Sequence, residues 1–213
     1  AHGCALADHG LDNICFRPAG EAELDGILKK RLAGEGVTEE ELWQYKTALL
    51  LFFGRGYAKR GWAMQMHFAA QRNNNSRMYR LLGPDTGYDS IGPAVRLPDL
   101  AAFLNALDEN GELPRTILYS LEPGDNAGLV TLMGCYQGEG VRGKLQHGSA
   151  WWFNDCKEGM DVYKRQLLGR WVEEGQFPDD RQALERLVAD ISYRNSVAYF
   201  GFGRYHLRGA ETL

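Results

Sequence analysis

The sequence predicts an α/β fold built on a parallel sheet, and three observations carry that expectation. Apolar runs of strand length alternate with amphipathic stretches of helical length. No internal repeat or low-complexity tract interrupts the series. The residues best able to do chemistry fall at the ends of the apolar runs. Strand, helix and strand in succession imply right-handed crossovers and parallel neighbours, which is half the grammar of a barrel.

Gly3 to Asp8 (GCALAD) reads as the opening strand. Glu21 to Leu32 is rich in helix formers, and Thr38-x-x-Glu41 has the form of a capping box that opens a long helix. Along it Leu42, Tyr45, Leu49, Leu50, Phe53 and Tyr57 recur at helical spacing until Gly61 ends the pattern. Trp62 to Phe68 (WAMQMHF) reads as a buried strand, followed by a polar stretch too rich in Asn and Gly for regular structure. Leu100, Phe103, Leu104 and Leu107 mark the next helix, begun near Pro98-Asp99 and closed by Asn110-Gly111. Thr116 to Leu121, Asp125 to Tyr136 and Gly143 to His147 then continue as strand, helix and strand. The tail, about 163–175 and 180–200, reads as two helices, with Leu184, Leu187, Val188 and Ile191 on one face of the second.

Bulk properties bound the function. With 213 residues, 44% of them hydrophobic, the chain is long enough to bury a core and short enough for one domain. A formal net charge of -4, with 24 basic and 28 acidic side chains intermixed, offers no basic stripe, so nucleic acid is excluded as an expected partner. The longest apolar run, Ala48 to Phe53, is too short to cross a bilayer. Cys4, Cys15, Cys135 and Cys156 form no C-x-x-C pair, and nothing at the N-terminus has the form of a cleavable signal, which fits a reducing cytoplasm. The chain opens on Ala1-His2-Gly3-Cys4, without a methionine, and reads as the middle of a gene product.

Parallel βα architectures place their chemistry at the C-terminal ends of strands. Asp8 and His9 follow the first expected strand, His67 closes the second and His147 closes the fourth. Each could ligate a metal or move a proton, but no H-x-H or H-E-x-x-H spacing supports a metal. For His9 and His147 a purely structural histidine is the better reading; Asp8 could equally cap the segment after it; His67 stands out because a dense polar loop comes next. In that loop Arg72, Asn73, Asn74 and Asn75 place one fixed cation beside three amides, which suits a polyhydroxylated anion. Asparagines in left-handed turns of a solvated loop are the alternative. Pro84-Asp85-Thr86-Gly87 reads as a turn, and Asp89-Ser90 as a cap. Trp151-Trp152-Phe153 cannot all point inward from a loop, so indole faces are expected to line a sugar pocket, with Asn154 and Asp155 binding hydroxyls or holding a catalytic group; an aromatic plug closing the barrel end is the alternative.

Taken together, Met66-His67-Phe68-Ala69-Ala70-Gln71-Arg72-Asn73-Asn74-Asn75, Leu81-Leu82-Gly83-Pro84-Asp85-Thr86-Gly87-Tyr88-Asp89-Ser90 and Gly148-Ser149-Ala150-Trp151-Trp152-Phe153-Asn154-Asp155 resemble uronate isomerases. The likeness extends in order over most of the chain, including Ala1 to Asp12, Arg60-Gly61-Trp62, Leu113 to Tyr119 and Leu168 to Glu173. The resemblance implies a partial (β/α)8 TIM-type barrel of the amidohydrolase superfamily, with about four parallel strands and flanking helices, the first strands and the last strand missing. It implies interconversion of glucuronate with fructuronate and of galacturonate with tagaturonate, through a cis-enediol, in the cytoplasm. It implies a catalytic role for His67, and substrate binding by Arg72, Asn73, Trp151, Trp152 and Asp155. It also implies a divalent metal, zinc being the expected ion, in the complete enzyme, with His67 a possible ligand and no tight site in this chain. The partner is a small sugar acid, and self-association is compatible with open sheet edges.

Departures from the family pattern are as informative. The H-x-H metal pair of the first barrel strand would lie upstream of Ala1. The catalytic aspartate of the last strand, in a T-D-S-R segment, is replaced by Asp161-Val162-Tyr163-Lys164-Arg165-Gln166, too short for a helix, a strand and a loop. His147 and Ala150 stand where the pattern has an aromatic and a glycine. The expected organisation is therefore one incomplete barrel domain over 1–213: barrel strands and helices in 1–160, an anomalous junction at 161–166 and C-terminal helices in 167–213. It reads as an incomplete or misjoined gene product, inactive alone. The alternatives are a metal-dependent hydrolase on the same barrel and a uronate-binding remnant without catalysis.

Overall fold

The computed structural model describes residues 3–138, 143–148 and 171–200. Contacts gather the chain into two compact units, Leu6–Ser149 and a second made of Ala1–Ala5 with Ala150–Leu213.

The first unit is a four-stranded parallel sheet in the order β1-β2-β5-β6, with β1 Leu6–Gly10, β2 Ala63–Phe68, β5 Arg115–Ser120 and β6 Leu145–His147. The intervening chain supplies α1 (Glu21–Leu32), α2 (Glu39–Arg60), α4 (Leu97–Asp108) and α5 (Asn126–Gly134). The alternation expected from the apolar runs is thus present, as a parallel sheet with flanking helices. The expected boundaries hold within a few residues, with one shift that matters. β1 runs from Leu6 to Gly10 rather than from Gly3 to Asp8, so Asp8 and His9 lie inside the strand instead of at or beyond its end.

Local signals explain the helix ends. The Thr38 hydroxyl accepts from Glu41 N while the Glu41 carboxylate accepts from Thr38 N at 2.8 Å, closing the capping box of α2. Gly61 ends that helix in the left-handed conformation, at φ 64°, which only glycine adopts cheaply. The Asn-rich stretch departs from expectation. It contains a two-strand antiparallel ribbon, β3 (Ala70–Gln71) against β4 (Ser90–Ile91), and a short helix α3 (Ser76–Leu82) capped by the Asn75 side chain, which accepts from Met78 N. Composition argued against regular structure there, but asparagine is itself a capping residue.

Registered partners share a face of the sheet. On one face Met64, Met66, Phe68, Leu118 and Leu145 meet Leu100, Phe103, Leu104 and Leu107 of α4, Leu50 of α2, and Leu129 and Met133 of α5. These four α4 side chains are fully buried, each contributing about 1.5–3 kcal/mol of transfer free energy. The opposite face carries Asp8, Gln65, His67, Ile117, Tyr119 and Gln146 in mutual register. Helices cover the first face and leave this polar face turned away from them.

In the second unit, the described residues include α6 (Arg181–Ala189), whose N-cap Asp180 accepts from Ala183 N, a π-helical turn at Asp190–Arg194, and α7 (Asn195–Phe200). The helix expected over about 163–175 falls largely outside the described residues.

Candidate active site

β1 and β2 are parallel neighbours, with Gly10 opposite His67 and Asp8 opposite Gln65. That offset carries the Asp8 carboxylate up to the imidazole: His67 Nε2 lies 2.8 Å from Asp8 Oδ1. An ionised carboxylate can only accept, so Nε2 bears the proton, and Nδ1 holds the lone pair of the neutral ring. Burial pushes the His67 pKa below its ordinary value, and the charge and hydrogen bond of Asp8 oppose that shift. The ring is a neutral base at physiological pH beside an acid that stabilises its protonated form.

On the other side of His67 stands Tyr119, its registered partner on β5, stacked at 4.2 Å between centroids. The Tyr119 hydroxyl donates to Gln65 Oε1 at 2.6 Å, and burial, with Asp8 nearby, pushes the phenol up to about 12. Tyr119 therefore stays protonated and acts as a donor and a wall. Neither Tyr119 nor Gln65 was among the residues expected from the sequence. The signal was available: in β2 the polar Gln65 and His67 alternate with Met64, Met66 and Phe68, the period of a strand with two different faces.

The other two strand histidines face away from this group. His9 and His147 register with Met66 and Leu118 on the helix-facing side. His9 Nε2 shares a 3.0 Å hydrogen bond with the Tyr57 hydroxyl of α2, and its ring stacks on Phe53.

Chain continuity ties the Arg72 loop to these strand ends. Leu11 N donates to His67 O, Ala69 N to Asp12 O, and Leu121 N to Phe68 O, so the turn leaving β2 is held from both neighbours. Ala69 takes φ 63°, and Gly92 approaches it so closely that its N donates to Ala69 O at 2.7 Å; a Cβ there would sit 3.3 Å from the same oxygen. Past β3, Arg72 Nη1 donates to Asp89 Oδ2 at 3.0 Å and Asn73 N to Asp89 Oδ1 at 2.7 Å. Asp89 is thus a partner of the loop rather than a cap. Asn73 is left-handed at φ 55°, as asparagine in such loops allows. The Asn74 amide donates to Gln71 O and Ser90 Oγ, and Asn75 caps α3, so two of the three asparagines build the loop. Pro84 to Gly87 is a turn, closed by Thr86 Oγ1 donating to Gly83 O. An open cleft lies beside it, lined by Asn74, Asn75, Gly87, Tyr88, Asp89 and Ser90.

Trp151, Trp152, Asp155 and the junction 161–166 lie outside the described residues. Among the described residues no group of three or more His, Cys, Asp or Glu side chains draws together for a metal ion. Asp8 and His67 are two donors already paired with each other, fewer than a metal site requires, so they do not by themselves fit a metal.

A parallel sheet with helices packed on one face, and an acid and an imidazole paired on the other, is the arrangement expected of a segment of a TIM-type barrel. Comparisons with known proteins narrow this. A family model described as glucuronate isomerase matches residues 1–166 and 163–200, two pieces that meet at 163–166. Uronate isomerases of Salmonella arizonae and Salmonella paratyphi B are each 44% identical over 236 positions, covering 94% of this chain and 50% of theirs. The crystal structure of uronate isomerase from Thermotoga maritima superposes with a TM-score of 0.81 at 25% identity, over 93% of this chain and 50% of that one. That of glucuronate isomerase from Caulobacter crescentus gives 0.79 at 22% identity, over 94% and 47%, and shares the fold. The chain belongs to the glucuronate isomerase family, and it spans about half the length of the curated relatives it matches. Among the described residues no helix is long and apolar enough to cross a membrane.

Proposed function

We propose that this chain carries part of the active site of a uronate isomerase, which interconverts D-glucuronate with D-fructuronate and D-galacturonate with D-tagaturonate. The observation that carries the reading is the Asp8–His67 pair on adjacent parallel strands, in a chain of the glucuronate isomerase family. The reaction moves a proton between C2 and C1 of the open-chain sugar acid through a cis-enediol. It needs a base matched to neutral pH, donors for the developing enediolate charge, and a cation for the carboxylate. His67 is the proton carrier: neutral Nδ1 takes the proton, and Asp8 stabilises the imidazolium that results. Arg72 and Asn73 hold the carboxylate end, and substrate binding by Trp151, Trp152 and Asp155 is proposed on the family likeness alone. The divalent cation, expected as zinc, would need ligands beyond Asp8 and His67, and none of the steps assigned here passes through it.

Alone, the chain binds the sugar acid without turning it over. The family match in two pieces, and an alignment of 236 positions that exceeds the chain's 213 residues, support a junction at 161–166 shortened relative to the relatives. Calorimetry with D-glucuronate, combined with an assay for the ketose, tests both parts. Binding lost in Arg72→Gln, with no ketose formed, is the expected result. Ketose formed by material free of full-length enzyme overturns the incomplete site, and an unchanged affinity in Arg72→Gln overturns the role of Arg72.

A further inference from the structure

We propose that Asp89 is a positioning residue that sets the Arg72 guanidinium and the Asn73 backbone for the carboxylate of the sugar acid, so that discrimination between charged and neutral sugars depends on an acidic side chain of the protein itself. The proposal rests on the uronate site described above and deepens it. One carboxylate bridges the side chain of Arg72 and the backbone of the residue after it, at 3.0 and 2.7 Å. Both bonds are charge-assisted, the stronger class, and the second offsets the cost of the left-handed backbone at Asn73.

The burial order supports a positioning role. The Asp89 side chain is 8% exposed and that of Arg72 33%, so the acid sits beneath the base and the base meets solvent. A guanidinium presents five donors in a planar fork, so pairing with Asp89 fixes the plane in which the other donors lie. Asp85, 3.9 Å from Arg72 and 84% exposed, is screened by water and contributes little. The acceptor is also rigidly carried. Gln71 pairs with Ser90 across the β3–β4 ribbon, Asn74 N donates to Tyr88 O at 2.8 Å, and the Asn74 amide reaches Ser90 Oγ. Arg72 and Asp89 therefore move as one body. The Asn73 backbone hydrogen bond, with the Arg72 side chain adding to it, holds the Asp89 pKa below the usual carboxylate range, so the bridge persists at neutral pH.

A guanidinium neutralised by an acid could instead be a poor anion site, and substitution separates the two cases because they predict opposite signs. Titrations of the whole chain with D-glucuronate and with D-glucose compare the parent, Asp89→Asn, Asp89→Glu, Arg72→Gln and the double variant. The expected result is a loss of roughly tenfold in D-glucuronate affinity for Asp89→Asn. D-glucose should be unaffected, Asp89→Glu should recover part of the loss, and Asp89→Asn should add nothing in the Arg72→Gln background. In the sugar-free protein, Asp89→Asn should also abolish the slowly exchanging Arg72 guanidinium proton resonances in NMR. Equal or tighter uronate binding by Asp89→Asn overturns the proposal, as does equal weakening of both sugars or persistence of the protected Arg72 resonances. An Arg72→Gln chain that binds uronate as well as the parent overturns the underlying site, and this proposal with it.

Discussion

The imidazole of His67 and the phenol ring of Tyr119 lie face to face, 4.2 Å between centroids and 4° from parallel. Strand register puts them there: the two residues are Cα partners across β2 and β5. The His67 ring, proposed as the proton carrier, is thus bounded by Asp8 at one edge and by an aromatic wall along one face.

That wall has a tight contact behind it. A Cβ built on Gly148 would fall 2.0 Å from Tyr119 Cε1, far inside van der Waals contact. Gly148→Ala should therefore push the Tyr119 ring off His67 and cost about 1–3 kcal/mol of stability by overpacking. Denaturant titration measures the loss, and the His67 ring proton shifts in NMR report the lost stack; unchanged shifts count against the contact.

His147 Nε2 is buried and has no hydrogen-bond partner among the described residues, and burial alone lowers the pKa of this ring. An unsatisfied buried polar atom costs about 1–3 kcal/mol. His147→Phe keeps an aromatic ring and removes that atom, so its denaturation midpoint should rise. A fall would show that the imidazole is needed.

His9, His67 and His147 all hold their protons less firmly in the folded chain than the ordinary histidine value near 6.5, burial being the leading cause in each. Above that value folding is unaffected by them. As pH falls from it toward the lowered folded values, the unfolded chain takes up protons first and stability declines. Asp89 and Asp99 have lowered values too, so a second decline lies in and below the usual carboxylate range. Unfolding at about pH 8 should require more denaturant than at about pH 5. His147→Phe should flatten the upper limb, and an equal midpoint at the two pH values refutes the assignment.

Asp125 is a buried carboxylate that accepts twice from Val95 N, at 3.0 and 3.2 Å, and once from Ser120 Oγ at 2.5 Å. It ties the segment after β4 to the end of β5. Asp125→Ala strands both donors and should cost about 2–6 kcal/mol, from roughly 1–3 kcal/mol for each unsatisfied group. Ser120→Ala, which removes one partner, should cost less. Chemical denaturation of the two variants ranks them, and the reverse order excludes the latch.

His67 and Arg72 were legible in the sequence because each is a chemically distinct residue at a strand end or in a polar loop. The role of Asp8 was ambiguous, because the expected strand stopped at it; two more residues of β1 turn a candidate cap into the partner of His67. Asp89 read as a cap because its real partners, Arg72 and Asn73, are 17 and 16 residues away.

The sequence by itself determined the alternation of strands and helices, the caps of α2, the apolar face of α4 and membership of an α/β class, because periodicity, capping and turn chemistry act over a few residues. Only the tertiary structure decided that Asp8, His67 and Tyr119 meet on one face while His9 and His147 turn to the helices. Those outcomes depend on strand order and register, and a slip of one residue would send every side chain of a strand to the opposite face.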